Sequence, residues 1–342
     1  MTVGRMHTPA APPRAGITRR GALRTLAVGG AALALTATTG GVAGAGPAPL
    51  LQRATWGAYA SRVPFPDAAP HYALEALVGT RFPQMSWFST WGVAWPKGGG
   101  QQAARSRHDL LVAWQPTLDG RRPVLFSDIV AGRHDDYLTR FFTAAARHPG
   151  RVTVRFAHEP NGTGYPWSVA AGGCVRSTAE YVAGWRYVVE FHRRISRRWT
   201  EQNVRFCWCV TTRDRGGIPL EEYYPGDDWV DVLAVDVYNG YGGTWASPRG
   251  LLAAPYARLT ALNEAAPVWI AELGCREPAK DEPGARADPR RSKADWLSSL
   301  FAMTEYPRLE SVNFFHADRT HDWRLDSSPA ALQVCRTALA GR

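Results

Sequence analysis

Two glutamates stand where short apolar runs turn polar. Glu159 follows a β-branched and aromatic run at 152–156, and Pro160, Asn161 and Gly162 then break the strand. Glu272 closes a second run, Trp269-Ile270-Ala271-Glu272, ahead of Leu273-Gly274-Cys275. Two carboxylates across one cleft meet the requirement for cleaving a glycosidic bond. One protonates the leaving oxygen while the other attacks the anomeric carbon or activates water. Their pKa values must be pushed apart so that one holds a proton when the other does not. Arg155 and His158 lie beside Glu159, and Tyr238 ends another apolar run together with Asp236. These three side chains are the expected tuners, through charge and hydrogen bonds. Sugar rings present apolar C–H faces that pack on flat side chains. Trp91, Trp95, Tyr165, Trp167, Tyr241, Trp245 and Trp323 fall in or just after the ends of apolar runs. In a chain with 14 Trp, that placement favours a carbohydrate groove over core filling alone. Asn161, in the loop after Glu159, is read with them as a loop or site residue rather than as a glycosylated surface asparagine.

The elements that would position these residues alternate along the chain. Strands are expected at 54–60, 85–91, 110–115, 152–156, 204–210, 230–238, 267–272 and 311–316. Apolar residues at helical spacing mark 135–147, 178–199, 251–263, 293–303 and 329–339. Eight nearly continuous apolar strands alternating with helices are the pattern of a (β/α)₈ TIM barrel in a single domain, residues 46–342. An open doubly wound sheet would carry a glycine-rich turn after its first strand, and none is present. In a barrel, the site forms at the carboxyl ends of the strands. Closure then brings the fourth and seventh strands, and with them Glu159 and Glu272, to opposite sides of one cleft.

Residues 1–45 read as an export signal to be cleaved. Arg19-Arg20 precedes an apolar stretch at 26–37 and then Ala43-Gly44-Ala45, the order expected for the twin-arginine route. The apolar stretch is shorter than the about 20 residues needed to span a bilayer. The protein is therefore expected to be secreted, with no membrane partner after cleavage. Of the net charge of +10, five units belong to arginines of residues 1–45, which hold no acid. The remaining excess is scattered, as in Arg193-Arg194 and Arg197-Arg198 on one helix face, and offers no nucleic-acid footprint. Five cysteines, Cys174, Cys207, Cys209, Cys275 and Cys335, leave at least one unpaired within a single chain. Cys207 and Cys209 share a side of one strand and are poorly placed to bridge. His316, Asp318, His321 and Asp322 match no fixed ligand spacing, so no metal is expected.

At this point the residues carry a resemblance. Residues 154–162 (VRFAHEPNG) are followed by Tyr165-Pro-Trp167-Ser, Trp185-Arg-Tyr-Val-Val and Tyr224-Pro-Gly-Asp-Asp-Trp. Asp236-Val-Tyr238-Asn, Trp269-Ile-Ala-Glu272-Leu-Gly and Asp322-Trp323-Arg complete the ordered set. Together they resemble glycoside hydrolase family 26, the β-mannanase family among the retaining clan A barrels. The resemblance implies Glu159 as acid/base and Glu272 as nucleophile in a double displacement, with His158 and Tyr238 supporting them. It implies that Trp167 and Trp323 line sugar sites and that no cofactor is needed. The expected activity is endo-β-1,4-mannan hydrolysis by a monomer. β-Glucanase or β-1,3-xylanase action, or a non-catalytic polysaccharide-binding barrel, stand as the alternatives.

Overall fold

A computed structural model describes residues 47–200, 202–241, 245–278 and 292–341. The expected export signal, 1–45, lies outside the described residues. Nine strands form one sheet: β1 (Thr55–Ala60), β2 (Gln84–Trp91), β3 (Asp109–Leu118), β4 (Arg122–Pro123), β5 (Val152–Phe156), β6 (Val204–Thr211), β7 (Val232–Asn239), β8 (Val268–Cys275) and β9 (Leu309–His316). All neighbours pair in parallel except β4, a two-residue hairpin arm folded back on β3. The order β2-β1-β9-β8-β7-β6-β5-β3 closes through a β2–β3 pairing, which makes an eight-stranded barrel. The fold expected from the sequence is the fold observed, and each of the eight expected strands corresponds to a barrel strand within a few residues.

Helices cover the barrel because sequence signals start them where the chain leaves a strand. Ser177, Ser247, Ser292 and Ser328 each cap a helix, their side chains accepting from Glu180, Gly250, Asp295 and Ala331 N–H groups. The helix expected at 251–263 starts earlier, as Pro248–Leu262, because Ser247 caps it and Pro248 sits in its first turn. Four of the described helices were not expected: Ala69–Val78, Lys97–Arg105, Phe126–Val130 and the single turn Leu50–Arg53. The second of these opens with Gly98-Gly99-Gly100. A Cβ on Gly99 would stand 2.5 Å from Pro64 O, so close approach rather than helix propensity selects that residue.

The core has two layers. Most buried apolar residues lie between strands and helices, among them Trp87, Trp91, Trp114, Phe156 and Trp185. A second cluster of Leu111, Cys207, Cys209, Val232, Ala234, Trp269 and Ala271 contains no helical residue. These alternate positions of β3, β6, β7 and β8 fill the barrel interior below the site. All five cysteines are buried free thiols. Among the described residues, no helix is long and apolar enough to cross a membrane.

Candidate active site

Glu159 leaves β5 through an unusual backbone. Ala157 (φ 44°) and Glu159 (φ 54°) both occupy the left-handed region, which side-chain-bearing residues rarely adopt. The surroundings over-determine that path. Ala157 N–H donates to Trp114 O (3.1 Å), Glu159 N–H to Cys209 O (2.8 Å) and Tyr181 O–H to Ala157 O (3.0 Å). Asn161 completes the clamp. Its Nδ2 donates to Thr211 O (3.0 Å) and Asp214 (2.9 Å), and its Oδ1 accepts from Thr211 N–H (2.9 Å). Fully buried and occupied in this way, Asn161 ties the loop to the end of β6 and does not line the cleft.

Glu272 is aimed by an irregularity in β8. Val235 pairs with Ile270, but Asp236 pairs with Glu272, so Ala271 is an extra residue at a bulge. With a regular register, Asp236 would face Ala271, and Glu272 would point to the helix side of the sheet. The bulge brings both carboxyls inward onto Arg155. This arginine is fully buried inside the barrel. Its Nη1 donates to both oxygens of Asp236 (2.7 and 2.6 Å) and its Nη2 to Glu272 Oε1. Tyr238 O–H donates to Glu272 Oε2, which gives this glutamate two donors. Gly274 makes that last contact possible, since a Cβ there would stand 2.4 Å from Tyr238 Cδ1.

Asp236 and Glu272 therefore share one guanidinium. Burial works against the charge of Arg155, but Asp236 and Glu272 outweigh it and hold the guanidinium protonated. Glu159 makes no ion pair with Arg155. Burial first, and then the negative charge of Glu272, push its carboxyl up to about 7. Burial also raises Asp236, helped by the two glutamates and opposed by Arg155. Near neutrality a proton is thus retained on this pair, Glu159 and Asp236. Burial likewise raises Tyr238 and Tyr165, which remain hydroxyl donors.

His158 departs from its expected part. Its ring is fully buried between Phe88 (6.0 Å), Tyr165 (4.5 Å) and Trp167 (5.8 Å). Among the described residues, neither ring nitrogen has a hydrogen-bond partner. Burial, reinforced by Arg155, depresses its pKa well below the ordinary value, so the imidazole is neutral. It supports the loop by packing rather than by charge.

Glu159 and Glu272 line the same cleft, about 450 Å³ in volume. Tyr165, Tyr238, Tyr241 and Trp323 line it with aromatic rings, together with Tyr59, Phe88 and Phe315. Of the expected sugar contacts, Tyr165, Tyr241 and Trp323 are therefore in the cleft, and four tryptophans are not. Trp91 is fully buried and stacks on Trp114 (4.9 Å) and Phe156 (5.7 Å) in the helix-facing layer. Trp167 is fully buried too. It stacks beneath Tyr165 (4.5 Å) and donates its indole N–H to His158 O (2.7 Å), so it backs the aromatic wall. Trp245 lines a separate cavity with Ser292 and Trp296. The neighbouring residue fixes it there, because Ala246 O accepts from Trp296 Nε1 (2.8 Å). Trp95 packs on Trp87 and Phe141 away from the cleft.

Sequence reasoning missed Tyr59, Phe88, Gln115 and Phe315, and it assigned no role to Asp236. A position at or next to the end of an expected strand was the signal available for Tyr59, Gln115, Asp236 and Phe315, and Phe88 had none.

Among the described residues one cluster has the donor set for a metal ion: His71, Glu75 and His108. It sits where β3 begins, at the end of the barrel opposite the glutamates. Glu75 Oε1 accepts from Phe82 N–H (2.8 Å) and lies 3.0 Å from His108 Nε2, while His108 Nδ1 contacts Ser106 Oγ (2.7 Å). These contacts account for the cluster as a tie between a helix and the start of β3. The polar residues after β9 are engaged locally. His316 Nδ1 accepts from Leu325 N–H (3.1 Å) and Asp322 pairs with Arg324 (2.7 Å).

With this geometry in view, relationships to known proteins are informative. The family model for glycosyl hydrolase family 26 matches residues 146–278, a span that holds both glutamates, Arg155 and Tyr238. Endoglucanase H of Acetivibrio thermocellus is 26% identical over 284 residues, covering 80% of this chain and 29% of that protein. The chain thus spans under a third of the length of this relative. The catalytic domain of a family 26 endo-β-1,4-mannanase from Bacillus sp. JAMB-750 superposes with a TM-score of 0.58 at 14% identity, covering 84% of this chain and 85% of that one. The family 26 domain of an endo-β-mannanase/endo-β-glucanase from Prevotella bryantii gives 0.56 at 10% identity, covering 84% and 88%. These structural likenesses concern the fold, and the resemblance read from the motifs agrees with the family match.

Proposed function

From its similarity to the family 26 glycosyl hydrolases, we propose that the chain hydrolyses a β-linked polysaccharide with retention of configuration. Glu159 donates its proton to the leaving glycosidic oxygen as Glu272 attacks the anomeric carbon. Glu159 then takes a proton from the water that releases the glycosyl group from Glu272. One observation carries this reading. In a single cleft, one carboxyl is pushed up to about 7 while the other receives Arg155 and Tyr238 as donors. That is the separation of roles a proton donor and a nucleophile require. Arg155 and Tyr238 fix the orientation of the Glu272 oxygens, and the aromatic walls hold the sugar faces.

For the backbone cleaved, the ordered motifs support β-1,4-mannan. A second reading, β-glucan, is favoured by the similarity to Endoglucanase H. The proposal includes export by the twin-arginine route, supported by Arg19-Arg20 and the apolar stretch behind them. The test is hydrolysis of mannan, mixed-linkage β-glucan and β-1,3-xylan by the wild type, Glu159→Ala and Glu272→Ala, with the anomer released followed by proton NMR. Loss of most activity in both variants and a β-anomeric first product are expected. An α-anomer would refute retention. Binding without hydrolysis of any glycan would instead make the protein a non-catalytic polysaccharide-binding barrel.

A further inference from the structure

The charges at the cleft rim exceed what a neutral polymer would call on. The cleft continues into a second lobe, about 570 Å³ in volume, which shares Glu159, Tyr238 and Tyr241 with the first. Apart from the three buried-cluster acids, every charged residue lining the two lobes among the described residues is an arginine. Arg319 lines the first lobe, in the segment after β9, while Arg213 and Arg215 line the second, after β6. β6 and β9 flank the β7–β8 pair that carries Asp236, Tyr238 and Glu272. The arginines therefore stand on both sides of the reacting centre.

All three are exposed. Some exposed arginines elsewhere in this chain take acidic partners, as in Arg133–Asp128 (2.5 Å) and Arg176–Glu180 (3.2 Å). Among the described residues the rim arginines form no such pair, and Asp214 and Asp322 near them are directed elsewhere. Asp214, between Arg213 and Arg215, accepts from Asn161 (2.9 Å) and pairs with Arg258 (2.8 Å). Asp322, near Arg319, pairs with Arg324 (2.7 Å). Nor are the rim arginines needed to balance the buried acids. Arg155 does that by direct contact, while exposed charges act through solvent that screens them within about 8 Å. Three unpaired guanidinium forks facing a sugar cleft match a planar carboxylate, which they can hold through two parallel hydrogen bonds.

We propose that the preferred substrate is an anionic β-glycan, with carboxylate groups on its sugar units, and that Arg319, Arg213 and Arg215 select it. The proposal rests on the hydrolase reading above and narrows its substrate class. An exposed arginine–carboxylate contact changes affinity by about two- to five-fold, so three together give a preference of roughly tenfold.

The test is a matched pair of polymers, a neutral β-glucan or β-mannan and the same backbone partly oxidised at C6 to the uronic acid. In 20 mM NaCl, as a buffer of about that low ionic strength leaves surface charge least screened, the wild type should show kcat/KM roughly tenfold higher on the oxidised member. That ratio should shrink as salt is raised. The triple variant Arg213→Gln, Arg215→Gln, Arg319→Gln should bring the ratio near one. Arg197→Gln, an exposed arginine just past the helix Thr178–Ser196, controls for net charge and should keep it. Calorimetric binding of the corresponding oligosaccharides reads the same preference independently of turnover. A wild-type ratio at or below one, or a ratio unaltered in the triple variant, overturns the proposal and leaves the hydrolase reading intact. Absence of hydrolysis on both members, with the charge preference still present in binding, refutes the hydrolase reading and leaves the anion preference standing.

Discussion

Replacing Glu272 by glutamine should lower the pH at which Glu159 loses its proton. In the folded protein that proton is held up to about 7, by burial and by the charge of Glu272. Glutamine removes the charge and keeps the shape. Two carboxyls about 5 Å apart, the spacing of retaining sites, repel by about 3 kcal/mol at an effective dielectric constant of 20. That corresponds to about 2 pKa units. Glu159 opens onto a solvent-filled cleft, which weakens the repulsion, so a downward shift of about 1–2 units is expected. The variant value should stay above the ordinary glutamate value near about 4.3, because burial remains. The assay is a carbon-13 NMR titration of protein labelled at the glutamate side-chain carboxyls, with the Glu159 signal identified by its loss in Glu159→Gln. In parallel, the alkaline limb of wild-type kcat/KM should fall near pH 7, since the proton donor is lost above its pKa. A Glu159 titration unmoved in Glu272→Gln would refute the reasoning, as would a wild-type Glu159 titrating near 4.3. The result also bears on mechanism. Glycosylation of Glu272 removes the same charge, so Glu159 would turn from acid to base at the step that needs a base.

Two more outcomes follow from the same contacts. Because Glu159 has a folded-state pKa above its unfolded value, the folded chain holds a proton that the unfolded chain releases. Stability therefore falls as pH rises from about 4.5 to about 7. Glu159→Gln should be more stable than wild type at pH 8 by about 1–3 kcal/mol, with the difference largely gone at pH 4.5 in urea unfolding. An equal difference at both pH values would contradict the linkage. Gly274→Ala should lower kcat by about tenfold or more while the fold persists, because the new methyl displaces Tyr238 from Glu272 and crowds Trp323. Circular dichroism with steady-state kinetics checks this, and wild-type kcat would refute it.

The barrel and its two glutamates were legible in the sequence for a local reason. Parallel strands buried on both faces read as short, continuous apolar runs, and a carboxylate that closes such a run marks its open end. The same two-sided burial erased the alternation that separates inward from outward side chains. Phe88, which reaches the cleft, and Trp91, which faces the helices, belong to one aromatic-rich stretch of β2, and the register of the closed barrel, irregular between Thr90 and Trp91, tells them apart. Trp167, Trp245 and Trp323 likewise look alike as residues after strand ends, yet only Trp323 lines the cleft beside Glu159 and Glu272. The remaining decisions were made between distant segments. Arg155 meets carboxyls 81 and 117 residues away, one extra residue in β8 turns Glu272 inward, and Asp214 is drawn off to Arg258. Strand character is carried by neighbours in the chain and was readable there. The charge partners that set the protonation of Glu159 come together only when the barrel closes.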